Sequence, residues 1–198
     1  TGSIRLNGTE LTSMQPAEIV RLGVGYAPER AHLFPYMSVQ DNRLGGAYAA
    51  RDGIDATMKL VHGLFPVLQE RRNQETSTQS GGERQMVSLG RALMTSPTVL
   101  LVDEPTIGLA PKICNDIAAA LKKPTTETGL TIVITEQNVN FAMTLASYLH
   151  ALETAEIRPR RTVAELHSDE QLTKATFRQP HRPGAPDALP MSHHTRNP

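Results

Sequence analysis

The chain has 198 residues, enough for one domain of ordinary size with its own core, and 20 Lys plus Arg against 20 Asp plus Glu leave no net charge. That balance disfavours nucleic acid as the main partner, and a single cysteine, Cys114, excludes an internal disulfide framework and fits a reducing compartment. No run reaches the roughly 18 apolar residues that span a bilayer, and no signal-peptide pattern opens the chain.

The first residue is Thr1 rather than methionine, and TGSIRLNGTEL reads as a strand and turn already in mid-fold, so a truncated N-terminus is expected. SIRLNG is a short strand closed by the tight-turn pair Asn7-Gly8. SMQPAEIVRLG is a helix that Ser13 can cap, with Pro16 in its first turn and Gly23 at its end. VGYAPE is a second strand running into a loop at Glu29. MSVQDN opens another helix with Ser38 three residues before Asp41, and from there to Ser96 the pattern is mainly helical. Met58, Val61, Leu64 and Phe65 are spaced to share one apolar face there.

TVLLVDEP is a continuous apolar strand, the mark of burial on both faces of a mostly parallel sheet. KICNDIAAALKK is a helix expected to stop at Pro124, LTIVIT a second fully buried strand, and NVNFAMTLAS a helix opened by Asn138. YLHALETAEI reads as a closing hairpin. The order predicts an α/β fold with parallel central strands and a helical insert in the first half. No internal repeat is evident, and the Pro- and His-rich end is expected to be a disordered tail.

Two stretches carry chemistry. By itself, SGGE is a capping box of Ser80 and Glu83 with two glycines for tight geometry. The same helix start also offers free amides and the positive end of a dipole to an anion, and its glycines let a phosphate approach the backbone. VLLVDEP by itself is a core strand running out to a polar turn. Its functional reading is a magnesium-nucleotide site at the carboxyl edge of the sheet. Asp103 would hold a Mg²⁺ water and Glu104 would activate the attacking water.

Together, SGGERQ, GRAL and VLLVDEPTIGLAP resemble the signature motif, Walker B strand and D-loop of an ATP-binding cassette (ABC) protein, over a span from about Thr1 to the hairpin near residue 160. APER, LFPVLQERR, SGGERQM, DEPTIGLAP and TEQN resemble more narrowly the ATPase subunits of bacterial branched-chain amino-acid importers, whose close relatives serve urea or short amides. The resemblance implies a P-loop NTPase-like cassette over residues 1–174, with its N-terminal part missing, a helical insert at about 38–96, and a tail at 175–198. It implies ATP and Mg²⁺ as cofactors, with Asp103 as the magnesium acid and Glu104 as the general base. Ser80, Gly81, Gly82 and Glu83 match the signature that contacts the γ-phosphate bound to the opposite subunit, although Gln79 stands where that motif usually opens with leucine. Gly108, Leu109 and Ala110 fall where the D-loop crosses the dimer interface. Glu29 occupies the Q-loop position and Gln137 the switch position, where most cassettes carry glutamine and histidine; both replacements are typical of the branched-chain subgroup. Gln137 offers hydrogen bonds but cannot take a proton as an imidazole can.

The implied partners are a second ATPase subunit in a head-to-tail dimer and a transmembrane permease docked through the helical insert. A substrate-binding protein would be met only indirectly. The implied location is peripheral, on the cytoplasmic face of the bacterial inner membrane. One element of the family is missing from these residues: no glycine is followed directly by lysine, so the phosphate loop G-x-x-x-x-G-K-[ST] does not occur. It is expected upstream of Thr1, together with the aromatic residue that stacks on adenine. A non-transport cassette or a non-catalytic fragment is the competing class. A repair-type cassette would carry a long heptad insertion, and none is present. His193-His194 in the Pro-rich tail is expected to be solvated, Cys114 to be a small apolar residue on a helix, and Arg158, Arg160 and Arg161 to line a solvated edge. The proline of KKPTTETGL and the absence of glycine in ETAE depart from the family pattern.

Overall fold

The computed structural model describes residues 2–49 and 53–168, so the expected tail at 175–198 and His193-His194 lie outside the described residues. The chain divides into two compact units, Thr1–Ser147 and Tyr148–Pro198. The first opens with a hairpin, β1 (Arg5–Leu6) and β2 (Thr9–Glu10), paired antiparallel. Its turn is the Asn7-Gly8 pair, both at positive φ (49° and 84°), as a two-residue hairpin turn requires. Helix α1 (Pro16–Arg21) has Pro16 in its first turn, but its cap is Gln15 rather than Ser13. Glu18 reaches back to accept the Gln15 N–H at 2.8 Å, an anchor three residues before an acid that Ser13 does not have.

Strand β3 (Val24–Ala27) leads to the helical segment. Helix α2 (Val39–Leu44) is capped by Ser38, whose hydroxyl accepts from the Asp41 N–H at 3.0 Å. Then follow α3 (Ile54–Leu64), α4 (Pro66–Glu70) and α5 (Gly81–Leu93). The expected apolar face of α3 is turned inward: Val61, Leu64 and Phe65 are buried, and Met58 packs against the same core. Helix α5 is the hub. It touches α2, α3 and α4 on one side and β3 and β4 on the other, and Met86, Val87, Leu89, Ala92 and Leu93 are all buried.

Strand β4 (Val99–Asp103), helix α6 (Pro111–Glu127), strand β5 (Thr131–Thr135) and helix α7 (Val139–Leu145) complete the unit. The three longer strands form a parallel sheet in the order β3-β4-β5. Helix α6 does not stop at Pro124; it runs through it to Glu127. Proline removes one N–H from the helix ladder, yet here the ring is buried, and the following turn is held by other donors. Thr125 and Thr126 hydroxyls donate to the Lys122 and Lys123 carbonyls, and both the N–H and hydroxyl of Thr128 donate to the Pro124 carbonyl.

The apolar strands β4 and β5 are not buried on both faces. Their register places Tyr26, Leu101 and Val133 in one cross-strand row, exposed at 56%, 37% and 52%. The next row, Ala27, Val102 and Ile134, points the other way into the core that α5 and α6 cover. An apolar run reports the capacity of a strand to be covered twice, not the presence of a second layer. Among the described residues, one face of this sheet is open.

The second unit carries β6 (Tyr148–Leu149), β7 (Leu152–Glu153), β8 (Glu156–Ile157), β9 (Arg161–Thr162) and α8 (Val163–Ser168). The expected hairpin is β7 with β8, and β6 pairs with β9 around it. Thr154 and Ala155 form its turn at positive φ (49° and 64°), a conformation that costs a non-glycine residue about 1–2 kcal/mol. Arg160 lies over the Tyr148 ring at 4.0 Å, so it is engaged in a cation–π contact rather than merely solvated. No helix among the described residues is long and apolar enough to cross a membrane.

The joint between α2 and α5 depends on a missing side chain. A Cβ built on Gly46 would stand 2.1 Å from the Arg91 carbonyl oxygen, a backbone atom that cannot swing aside. Gly46→Ala should therefore lower stability by at least about 2 kcal/mol, as overpacking does. Chemical denaturation of the two proteins measures it; equal midpoints would show that this joint is loose.

Candidate functional site

Parallel pairing brings the carboxyl ends of β3, β4 and β5 to one edge, which is where α/β sheets present ligand-binding groups. Asp103 ends β4 on the open face, in the same alternation as Leu101. Both of its oxygens are engaged. The Thr135 hydroxyl, directly across on β5, donates to Oδ1, and the Tyr26 hydroxyl on β3 donates to Oδ2 at 3.3 Å. Partial burial, then the Asp103 charge and its hydrogen bond, and then the Glu29 charge push the Tyr26 phenol above its ordinary pKa. That influence also puts Glu29, in the loop after β3, within electrostatic reach of this edge.

Glu104 follows at φ 45°, a left-handed conformation that costs a residue with a Cβ about 1–2 kcal/mol. Its N–H donates to the Thr135 carbonyl at 3.0 Å, extending the β4–β5 ladder by one bond. Its Oε1 accepts from the Gln137 Nε2 at 3.0 Å. Asp103, Glu104 and Gln137 are thus gathered at one end of the sheet, and Glu29 lies in the loop that leaves β3 at the same edge.

Ser80, Gly81, Gly82 and Glu83 stand elsewhere, at the start of α5, and the structure shows no bond from their side chains to the acids. The capping box is complete: Ser80 Oγ accepts from the Glu83 N–H at 3.3 Å, and Glu83 Oε2 accepts from the Ser80 N–H at 2.8 Å. Burial alone would raise the Glu83 pKa, but hydrogen bonding to Ser80 and the Arg71 guanidinium outweigh it and hold the carboxyl below its ordinary value. Arg71 Nε lies 3.1 Å from Glu83 Oε1. The cap consumes the N–H groups of Ser80 and Glu83 and leaves those of Gly81 and Gly82 outside it.

The two glycines differ. A Cβ on Gly82 would stand 2.7 Å from Cγ2 of Ile113 on α6, whereas one on Gly81 would meet only Leu109, at 3.7 Å. Gly82 is therefore a packing residue inside the chain, and Gly81 is free to face a ligand. Leu109, within the 108–110 segment, also brings that segment against the helix start.

Reading the sequence by motif passed over four residues of this edge: Tyr26, Thr135, Thr106 and Glu136. Thr106 Oγ1 donates to Glu136 Oε1 at 2.7 Å. The one available signal was position. Each lies within three residues of a candidate acid or of Gln137, in sequence or across the sheet.

No group of three or more Asp, Glu, His or Cys among the described residues is placed to hold a metal ion. Magnesium delivered with a nucleotide takes one or two carboxylates from the protein and its other oxygens from phosphates and water. Asp103, partly exposed on the open face, is a carboxylate of that kind.

The family model described as ABC transporter matches residues 1–107. The chain is 38% identical over 176 residues to the high-affinity branched-chain amino acid transport ATP-binding protein BraG of Pseudomonas aeruginosa, covering 88% of this chain and 75% of that protein. It is 33% identical over 179 residues to the probable branched-chain amino acid transport ATP-binding protein LivF of Archaeoglobus fulgidus, covering 88% and 74%. Among solved structures, a nucleotide-free ATP-binding cassette from an ABC transporter matches with a TM-score of 0.73 at 20% identity, covering 88% of this chain and 76% of its own. A dimeric structure of the bacterial cassette MJ0796 matches with a TM-score of 0.70 at 22% identity, covering 82% and 74%. These likenesses extend to the fold. The chain belongs to the ABC transporter family, whose cassettes are ATP-hydrolysing enzymes.

The glycine pair can be tested without nucleotide. Gly82→Ala should lower the melting temperature, because about 1–3 kcal/mol of overpacking against Ile113 exceeds the roughly 1 kcal/mol of helix propensity that alanine restores. Gly81→Ala should melt at or above the parent. If both variants melt together, the Gly82–Ile113 contact does not constrain the helix start.

Proposed function

We propose that this chain is the ATPase subunit of an importer for branched-chain amino acids, peripheral on the cytoplasmic face of the membrane and docked on a permease through the helical segment. The relatives named as branched-chain amino acid transport ATP-binding proteins support the solute class. An importer of urea or short amides is the nearest alternative within the same subgroup. The observation that carries the reading is the Gln137–Glu104 hydrogen bond beside Asp103, on the open face of a parallel sheet.

Bound ATP with magnesium would supply the phosphoryl group and the charge that polarises it. Asp103 would bind the metal through a carboxylate already oriented by Thr135 and Tyr26. Glu104 would accept the proton of the attacking water. Gln137 donates to Glu104 Oε1, so it fixes the carboxylate's direction and leaves Oε2 for that proton. Glu29 would sit beside the metal site in the Q-loop position. Ser80, Gly81, Gly82 and Glu83 open a helix whose N-terminus suits an anion, and the cap engages their side chains with one another and with Arg71 rather than with the acids, which suits a head-to-tail dimer. In that arrangement the helix would meet the partner's γ-phosphate, with Gly108, Leu109 and Ala110 at the interface. The dimeric structure of the cassette MJ0796 is in keeping with this.

These 198 residues contain no G-x-x-x-x-G-K-[ST] loop, so a polypeptide limited to them tests what that loop contributes. It should bind ATP weakly or not at all. Titration with a fluorescent ATP analogue and Mg²⁺ reports this, and micromolar affinity would overturn it.

In a polypeptide that also carries the phosphate loop, Glu104→Gln should slow ATP turnover by about 10²–10⁴-fold, the scale of a lost general base, while ATP binding survives through Asp103. Unchanged turnover would place the base elsewhere.

A further inference from the structure

The residue between Thr135 and Gln137 has no part in that reading. Glu136 is half-buried, and its carboxylate joins two separate segments. Oε1 accepts from the Thr106 hydroxyl at 2.7 Å and from the Asn138 N–H at 3.0 Å. Oε2 is buried with no hydrogen-bond partner. Thr106, in the segment after β4, is only 7% exposed, so its hydroxyl is shielded from competing water. The Glu136 charge reaches further: after burial, it is the main influence raising the Cys114 thiol above its ordinary pKa.

A carboxylate is an expensive group to place there. Leaving one oxygen buried and unpaired carries a desolvation cost that an apolar side chain would avoid. What the carboxylate supplies in return is geometry. Residues 135, 136 and 137 are consecutive, and each makes a different bond to the segment after β4. The Thr135 carbonyl takes the Glu104 N–H, Glu136 takes the Thr106 hydroxyl, and Gln137 gives its amide to Glu104. Both side-chain bonds end on a carboxylate, but the middle one is made by a hydroxyl shielded from water, whereas the Gln137–Glu104 bond is exposed. Gln137 itself is exposed, and among the described residues its side chain is held by the bond to Glu104 alone.

We propose that Glu136 is a positioning residue: its carboxylate clamps Thr106 to the Asn138 amide and so holds Gln137 on Glu104. The proposal rests on the assignment of Glu104 and Gln137 above. It adds that the segment entering the 108–110 loop and the segment carrying Gln137 move as one piece.

The test has two parts. In the 198-residue chain, hydrogen exchange followed by mass spectrometry should show faster exchange across residues 136–138 in both Thr106→Val and Glu136→Ala. The isosteric Thr106→Val keeps the test open if Glu136→Ala folds poorly. In the polypeptide that carries the phosphate loop, each variant should lower kcat by about 10–100-fold with KM unchanged, the scale of a misplaced catalytic group. The double variant should be no worse than either single one, because both remove the same bond. Glu136→Gln keeps the accepting oxygen and should restore most of kcat. Additive losses, an unchanged kcat in Thr106→Val, or a Glu136→Gln as impaired as Glu136→Ala would overturn the clamp. If Glu104→Gln retains full turnover, the assignment of the base fails instead, and the clamp stands or falls on the exchange rates of residues 136–138.

Discussion

The parallel register of β4 against β5 is the constraint on which the rest of this edge depends. Asp103 lies opposite Thr135, and the ladder continues one step further through the Glu104 N–H to the Thr135 carbonyl. Because the strands run the same way, the segments that follow them leave from the same edge. Glu104 and Gln137, 33 residues apart in sequence, then meet as neighbours. An antiparallel pairing would send the two segments to opposite edges of the sheet. Glu104 accepts a strained backbone at this point, and the strain persists because the ladder bond on one side and the Gln137 amide on the other over-determine its position.

The second constraint is the burial of α5. The helix is wedged between the helical segment and the sheet, so the orientation of its first turn is set by packing rather than by the turn itself. Two close approaches fix it: Gly46 against the Arg91 backbone near one end and Gly82 against Ile113 near the other. The SGGE turn therefore serves two purposes at once. Its side chains complete a cap, its second glycine admits a neighbouring helix, and what remains outward-facing is the first glycine with the amides outside the cap. The capping-box reading and the anion-site reading describe different atoms of the same four residues.

Buried polar groups in the helical segment show that stability is not spent uniformly. Arg43 is fully buried, with Nε and one terminal nitrogen donating to the Val39 and Leu68 carbonyls and Nη1 left without a partner. The nearby His62 is pushed to a lower pKa, first by burial and then by the charges of Arg43 and Arg72. Its neutral form is favoured in the folded state, so it contributes stability above its ordinary pKa, and that contribution is lost as pH falls. Buried arginines with an unmet donor cost more than they return in isolation. Here the guanidinium caps the end of α4, which lacks a continuing helix to satisfy Leu68.

Local chemistry was legible in the sequence alone. Asn7-Gly8 marked a hairpin turn, Ser38 and Ser80 marked helix caps, Asn138 opened α7, and the alternation of apolar strands and helices implied a parallel sheet. The paired acids and the SGGE turn were visible because each depends on residues within a few positions of one another. Three features were decided only by tertiary structure. Pro124 lies within α6 because the buried ring and three threonines support a helix that local propensity would end. Tyr26, Leu101 and Val133 stand exposed because coverage depends on which layers pack against the sheet, and an apolar strand looks the same with or without them. The Thr106–Glu136 clamp joins residues 30 apart. Hydrogen-bond partners across a sheet edge are set by strand register, which no local pattern encodes.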